Sequence, residues 1–333
     1  MVRIPRDLHL AAARRLVSRA NDDLDAAAQR LIESASRHAI DFSLCFGTLD
    51  PGTGKAPARV RQACLAVIGA GRTAMLFLSE PEPGEGAPGV AERAACIRAA
   101  CDHLGTHLSR KATLAQALPE PGDRWSTDAL AAAGFVSVGT LVYLRAAPPP
   151  PRERAAPRPW PEGVTVERLS EIGALGTAAE RDDADAALAQ ALEASYIDTL
   201  DCPELCGLRA IDDVLDSHRA TGTYDPSWWS LVRDHGRPAG AMLLNRCPDL
   251  RSIELVYLGL GPTLRGKGIG SCLLRQGMDR VHASFPGWSV TCAVDSRNTP
   301  ALGLYRALGF SAYTKRSAFV RPLGGTPERP GDR

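Results

Sequence analysis

Ile-Glu-Leu-Val-Tyr-Leu-Gly-Leu-Gly-Pro-Thr-Leu-Arg-Gly-Lys-Gly-Ile-Gly, residues 253–270, is the stretch whose reading decides the fold. It opens with apolar and β-branched residues, breaks at Gly261-Pro262, and ends in three alternating glycines, Gly266, Gly268 and Gly270, that lead into an amphipathic helix. That order predicts strand, turn, phosphate loop and helix. Glycines let a ligand approach the backbone, and the first N–H groups of a helix point outward at the positive end of its dipole. An anion such as a pyrophosphate fits that place.

Downstream, the helix continues to about Ser284, with Leu274, Met278 and Val281 on one face. A strand over Trp288–Val294, a helix over Thr299–Leu308 and a last strand over Ala312–Val320 follow. Upstream, Trp228–Arg233 and Ala239–Leu244 read as a hairpin, preceded by a short helix around Ile211–Ala220, helical spacing over Ser170–Leu200 and a strand over Val164–Leu169. The run from Ala146 to Pro161 has seven prolines in sixteen residues and reads as a stiff, extended linker. Before it, the first half repeats the order of elements. Helices span Leu8–Ile40, broken at Asn21-Asp22-Asp23, and a loop covers Gly47–Pro57. A hairpin joins Ala63–Ile68 to Thr73–Ser79, and a loop at Glu80–Gly89 feeds a helix over Val90–Leu108. A strand at Ala112–Leu118, a short helix at Ser126–Ala133 and a closing strand at Phe135–Leu144 complete it. Gly134-Phe135 and Gly309-Phe310 close corresponding helices, which predicts a tandem repeat of one α/β unit. The boundaries expected are 1–145, the linker 146–161, 162–323 and a disordered tail 324–333.

The bulk composition limits the function classes. The chain has 333 residues, enough for two domains, and balances 39 basic against 38 acidic side chains. It therefore carries no polyelectrolyte signature for nucleic acid or an anionic membrane. No run of 18 apolar residues occurs, and residues 1–30 are dotted with Arg and Asp, so a soluble, unexported, cytoplasmic protein is expected. Nine cysteines are scattered mostly within apolar runs. Only Cys202 and Cys206 have ligand-like spacing, with no second pair, and His103 and His107 lack the glutamate of a zinc protease motif; no metal is expected.

Three loop patterns compete for Gly259–Ser271. A dinucleotide fingerprint needs G-x-G-x-x-G, but the glycines run G-x-G-x-G; a P-loop needs a hydroxyl after the lysine, where Gly268 stands. The third pattern, [QR]-x-x-G-x-[GA], is filled by Arg265–Gly270. Asn298–Phe310 fills N-x-x-A-x-x-L-Y-x-x-L-G-F at every fixed position. With these two motifs in order and one strand between them, residues 162–323 resemble the GCN5-related N-acetyltransferase (GNAT) superfamily. Each half is then expected to be a GNAT-like domain, a mixed, mostly antiparallel sheet flanked by helices.

The resemblance implies roles. Backbone amides of Gly266, Lys267, Gly268, Ile269 and Gly270 would bind the pyrophosphate of acetyl-CoA, with Arg265 and Lys267 supplying positive charge. Leu258 and Leu260 would lie where two strands part, freeing backbone groups for the pantetheine arm and for the oxyanion of the thioester. Tyr305 would either protonate the departing thiolate or pack in the core. Asn298 would contact the cofactor or cap its helix. Glu254, sixteen residues before Gly270, would be a general base or an ordinary strand carboxylate. In the first half, the loop is acidic and Leu130 corresponds to Tyr305, so that copy is expected to be silent. Tandem acetyltransferases with one silent half, mycothiol synthase among them, are a precedent for the architecture, and nothing in these residues specifies that enzyme's substrate. On the acceptor side, Tyr196, Asp198, Asp201 and Glu204 would recognise a cationic amine or belong to a solvated loop. The expected activity is direct acetyl transfer to a primary amine of a small molecule or peptide, in a ternary complex. The alternatives are a non-catalytic CoA-binding or regulatory module and a nucleotide enzyme using the near-P-loop; no oligomeric state is implied.

Overall fold

The computed structural model describes residues 1–17, 23–50, 58–81, 86–147, 159–172 and 177–324. Residues 148–158 of the proline linker, 51–57 and 82–85 of the two expected loops, 18–22 at the expected helix break, 173–176 and the tail beyond 324 lie outside them. Among the described residues no helix is long and apolar enough to cross a membrane.

The chain forms two compact units, residues 1–138 with 317–333, and residues 139–316. The first begins with β1 (Val2–Arg3), α1 (His9–Leu16) and α2 (Leu24–Arg37), the last capped by Asp23, whose carboxylate accepts the Ala26 N–H at 2.9 Å. There follow β2 (Cys45–Asp50), β3 (Arg59–Gly69), β4 (Thr73–Leu78), α3 (Ala87–His107), β5 (Leu114–Ala117), α4 (Arg124–Ala132) and β6 (Val136–Ala146). The β3–β4 hairpin turns at 70–72, as expected, whereas β2 occupies residues expected in part to be loop. The second half has β7 (Val164–Arg168), α5 (Leu169–Ile172), α6 (Ala178–Tyr196), α7 (Ile211–Ala220), β8 (Trp229–Asp234), β9 (Arg237–Cys247), β10 (Ser252–Leu260), α8 (Ile269–Ser284), β11 (Ser289–Asp295), α9 (Thr299–Ala307) and β12 (Ser311–Pro322).

Each unit is a mixed sheet between two helix layers. In the first, β1-β2-β3-β4 is an antiparallel run, and β4 then pairs with β5 in parallel. Strand alternation sends Cys64 and Ala66 to the core under α3 and α4, and Ala63 and Leu65 to the core under α1 and α2. The second unit repeats this order: β7-β8-β9-β10 antiparallel, then β10 and β11 parallel. Met242 and Leu244 face α8 and α9, while Ala241 and Leu243 face α6 and α7. The ends of α4 and α9 match closely: Asp123 and Asn298 cap them, and Phe135 and Phe310 donate to the Leu130 and Tyr305 carbonyls at 3.0 Å each.

The sixth strand of each sheet departs from the expectation that each half closes on its own last strand. Beside β5 lies the end of β12, with Phe319 opposite Ala117; beside β11 lies β6, with Cys292 opposite Leu144. The chain passes into the second unit between Val138 and Gly139 and returns between Arg316 and Ser317. An apolar alternation specifies that a strand is buried but not which strand it pairs with.

Candidate active site

Strand β10 pairs with β11 only over Ser252–Glu254, opposite Ser289–Thr291; beyond this point the two strands part. On its other edge β10 stays paired with β9 to Leu260, with a bulge at Val256 where the register shifts. The hydrogen bond from the Gly261 N–H to the Ala239 carbonyl, 2.7 Å, sets the phase of this ladder. Antiparallel pairs alternate, so Tyr257 and Gly259 exchange bonds with β9, and Leu258 and Leu260 turn their N–H and C=O groups into the opening. A cleft of about 260 Å³ lies there, lined among others by Leu258, Leu260, Gly270, Asn298, Leu304 and Tyr305.

The glycine loop reaches the same cleft. Gly266 and Gly268 have φ of 73° and 76°, the left-handed region where a side chain is strained, and Gly268 caps α8. The first helical bond goes from Cys272 N–H to the Gly268 carbonyl at 3.0 Å, so the amides of Ile269, Gly270 and Ser271 precede the helical ladder. Ile269 is buried and anchors the turn, and the exposed Lys267 stands beside it. Arg265 departs from the expected role. Its guanidinium donates to the carbonyls of Leu260 (2.9 Å), Ser195 (2.9 Å), Ile197 (2.7 Å) and Asp198 (3.1 Å). The fork thus closes the C-terminal end of α6, where unpaired carbonyls and the negative end of the dipole attract a cation.

Tyr305 is buried and lines the cleft, its hydroxyl against the Cys292 thiol and its ring 5.4 Å from Phe310. Burial holds the phenol well above its ordinary range. Asn298 caps α9, accepting the Ala301 N–H at 3.3 Å, and its side chain also bonds Asp201. Glu254 is the last residue of β10 paired to β11. It is mostly buried, its carboxylate 4.0 Å from Cys247 Sγ, and burial raises its pKa.

The four acceptor-side candidates separate. Tyr196 and Asp198 line the cleft; Tyr196 packs edge-on to Tyr257 with ring centroids 6.1 Å apart, and burial pushes its phenol up to about 12. Asp201 also borders the cleft, but its carboxylate accepts the Asp295 N–H at 2.7 Å. Glu204 is held by Arg297 at 2.6 and 2.8 Å, and the same guanidinium binds the fully buried Asp295 at 2.6 Å. Asp201 and Glu204 therefore fasten their loop to the β11–α9 turn, a correction to the expectation that they greet an amine. Such partners are far apart in sequence and leave no local signal.

Tyr257 was not singled out in the sequence. It lines the cleft, and its hydroxyl is 2.5 Å from Ser195 Oγ, which itself donates to the Leu192 carbonyl at 2.7 Å; the phenol is the donor of the pair. The ring folds over Gly259, where a Cβ would lie 2.3 Å from the phenol oxygen. Its position in V-Y-L-G, with glycine two residues on, is the one signal available. In the first unit the register of β3 with β4 runs without a shift, and the buried Leu130 stands where Tyr305 does in the second. Among the described residues no three His, Cys, Asp or Glu side chains are placed to hold a metal ion.

Comparison with known proteins agrees with this geometry. Residues 193–310 match the model of the Acetyltransferase (GNAT) family. Over 207 residues the chain is 34% identical to mycothiol acetyltransferase of Clavibacter sepedonicus, a match covering 60% of this chain and 62% of that protein, so it spans about three fifths of the relative's length. Over 86 residues it is 35% identical to the N-alpha-acetyltransferase RimI of Mycobacterium tuberculosis, covering 26% of this chain and 51% of that one. A GCN5-related N-acetyltransferase from Sphaerobacter thermophilus shares the fold across 96% of this chain and 95% of its own, with a TM-score of 0.58 at 17% identity. The part of the chain that matches the GNAT acetyltransferase family model, residues 193–310, thus lies within its second unit.

Proposed function

We propose that this protein is an acetyl-CoA-dependent N-acetyltransferase with one active site, in the second unit, that acetylates a primary amine by direct transfer. The observation that carries the reading is the parting of β10 from β11 into a cleft that runs to the open amides at the start of α8. Bound there, acetyl-CoA supplies an activated acetyl thioester. The amides of residues 266–270 take the pyrophosphate, and the Leu258 and Leu260 backbone groups that face the opening take the pantetheine arm. The Leu258 N–H is the donor for negative charge developing on the thioester oxygen.

Glu254 removes the ammonium proton, directly or through water; its desolvated carboxylate is a better base than an exposed one. Tyr305 donates a hydrogen bond to the departing sulfur. A phenol held well above 10 does not give its proton outright to a thiolate whose conjugate thiol has an ordinary pKa of about 8.5, so water completes the protonation of the departing thiolate. Holding both reactants in one cleft accounts for much of the rate.

The relatives named for mycothiol acetylation and for N-alpha-acetylation support a small-molecule or peptide amine as acceptor. The experiment is calorimetric titration of acetyl-CoA together with CoA release over an amine panel. Acetyl-CoA binding with amine-dependent release is expected. Tight binding without release from any amine would favour a CoA-binding regulatory module, and stabilisation by ATP with Mg²⁺ but not by acetyl-CoA would overturn the reading.

A further inference from the structure

The open face of the second sheet continues past the cleft onto β6, a strand the linear order assigns to the first half. Across the sheet, Glu254 is paired with Thr291, and Thr291 with Arg145, so the three share a face and form one row over β10, β11 and β6. At about 4.8 Å per strand, the Arg145 and Glu254 backbones are roughly 10 Å apart. In the next row Tyr143 is paired with Ala293, and Ala293 lines the cleft. The opposite face is fixed by burial: Val290, Cys292 and Val294, with Ala146, Leu144 and Val142 across from them, lie in the core under α8 and α9.

The far end of the row is basic and held in shape. The Arg145 guanidinium lies 5.0 Å over the Tyr313 ring, which meets the Tyr143 ring at 6.3 Å and 64°. Stacking fixes the arginine without neutralising it. No carboxylate pairs with Arg145 among the described residues, although both Arg145 and Tyr313 are exposed. Arg316 adds a second positive charge near Tyr143, and Glu254 acts on the same phenol with the opposite sign. The row thus runs from the mostly buried Glu254 carboxylate, next in the strand to the cleft-lining Leu255, to an unpaired, stacked guanidinium.

We infer that this row is the acceptor site, and that the acceptor is an amine that also carries an anionic group, a carboxylate or phosphate, placed to reach Arg145 when its nitrogen is at Glu254. The inference rests on the transferase reading proposed above. It makes Arg145 and Tyr143, from the first half of the sequence, specificity-determining residues for chemistry in the second. Arg suits the task because its planar fork takes a carboxylate or phosphate in two bonds.

The test compares n-alkylamines with ω-amino carboxylates of matching length, and diamines as the opposite-charge control, in the full chain and in Arg145→Ala and Arg145→Glu. Acetyl-CoA affinity is measured by calorimetry in each. An anionic amine should be preferred over its neutral analogue by about tenfold in kcat/KM, chiefly through KM. Arg145→Ala should abolish that ratio, and Arg145→Glu should turn the preference towards diamines. Failure of the full chain to bind acetyl-CoA sinks the transferase reading itself. With acetyl-CoA bound, turnover of no ω-amino carboxylate, absence of the preference, or a preference that survives both substitutions overturns the anionic-acceptor inference alone.

Discussion

Replacing Arg265 separates two accounts of a residue that belongs to the glycine-loop motif. In the structure its guanidinium spans four carbonyls at 2.7–3.1 Å, three from the end of α6 and one from the end of β10. Hydrogen bonds from a charged donor contribute roughly 1.5–3 kcal/mol each when buried. Arg265 is largely exposed, and water can replace it at most of these oxygens, so Arg265→Ala should cost about 1–2 kcal/mol. That corresponds to a fall in Tm of about 2–8 °C for a unit of this size. Lysine keeps the charge but cannot bridge four carbonyls, so Arg265→Lys should lose nearly as much. The assay is thermal unfolding beside titrations with acetyl-CoA and with acetyl-pantetheine, which lacks the pyrophosphate. Loosening the wall of the cleft should weaken both ligands by similar factors. If the loss were confined to acetyl-CoA, restored by lysine and unaccompanied by a change in Tm, the guanidinium would be a pyrophosphate ligand and the staple argument would be refuted.

Three other outcomes follow from the site. Tyr305→Phe should lower kcat by roughly 10²-fold with little change in acetyl-CoA affinity, and a thioester with a more acidic thiol should recover part of the loss; equal rates with every leaving group would remove Tyr305 from the reaction. For Glu254, burial raises the folded pKa, so the working base appears only as pH rises through that raised value. The acid limb of kcat/KM should vanish in Glu254→Gln. Because the protonated form is favoured in the fold, stability falls as pH climbs from the unfolded pKa through the folded one, and the glutamine variant should unfold at a slightly higher temperature at neutral pH. His218 is the reverse case: its ring lies 5.6 Å from that of Tyr257, and burial lowers its pKa to about 4. The unfolded chain takes up this proton near pH 6.5 and the folded one near 4, so stability should be full above pH 6.5 and decline between those values. Denaturant melts of His218→Gln should show a shallower decline; an unchanged slope would refute the assignment.

Local structure was legible in the sequence, and partnership was not. The glycine loop, the Asn298–Phe310 motif and the strand before them are read from neighbours in the chain, and each lies where its spacing placed it. The same spacing cannot show that Arg265 turns back to α6, because its partners are some seventy residues upstream. Asp201 and Glu204 have the right charge for an amine, yet the Asp295 amide at the end of β11 and the Arg297 guanidinium after it engage them first. The bulge at Val256 leaves no mark in an apolar run, though it sets which backbone groups of β10 face the opening. Tyr143 read as part of a closing strand for the first half, with Arg145 just past its end, since periodicity reports burial and not address.

The exchanged strands carry a consequence for how such a chain is made and altered. The first sheet lacks its last ladder until residues near 320 have been synthesised, although the rest of that sheet is complete by about residue 117. A cut in the proline-rich connection, the place that looks most like a seam, would leave β5 and β11 each with a bare edge and each fragment holding the strand the other needs. The duplication is therefore no longer divisible along the line of its own repeat. Shuffling, truncation or fusion that treats the halves as modules would have to carry β6 with the second half and the end of β12 with the first.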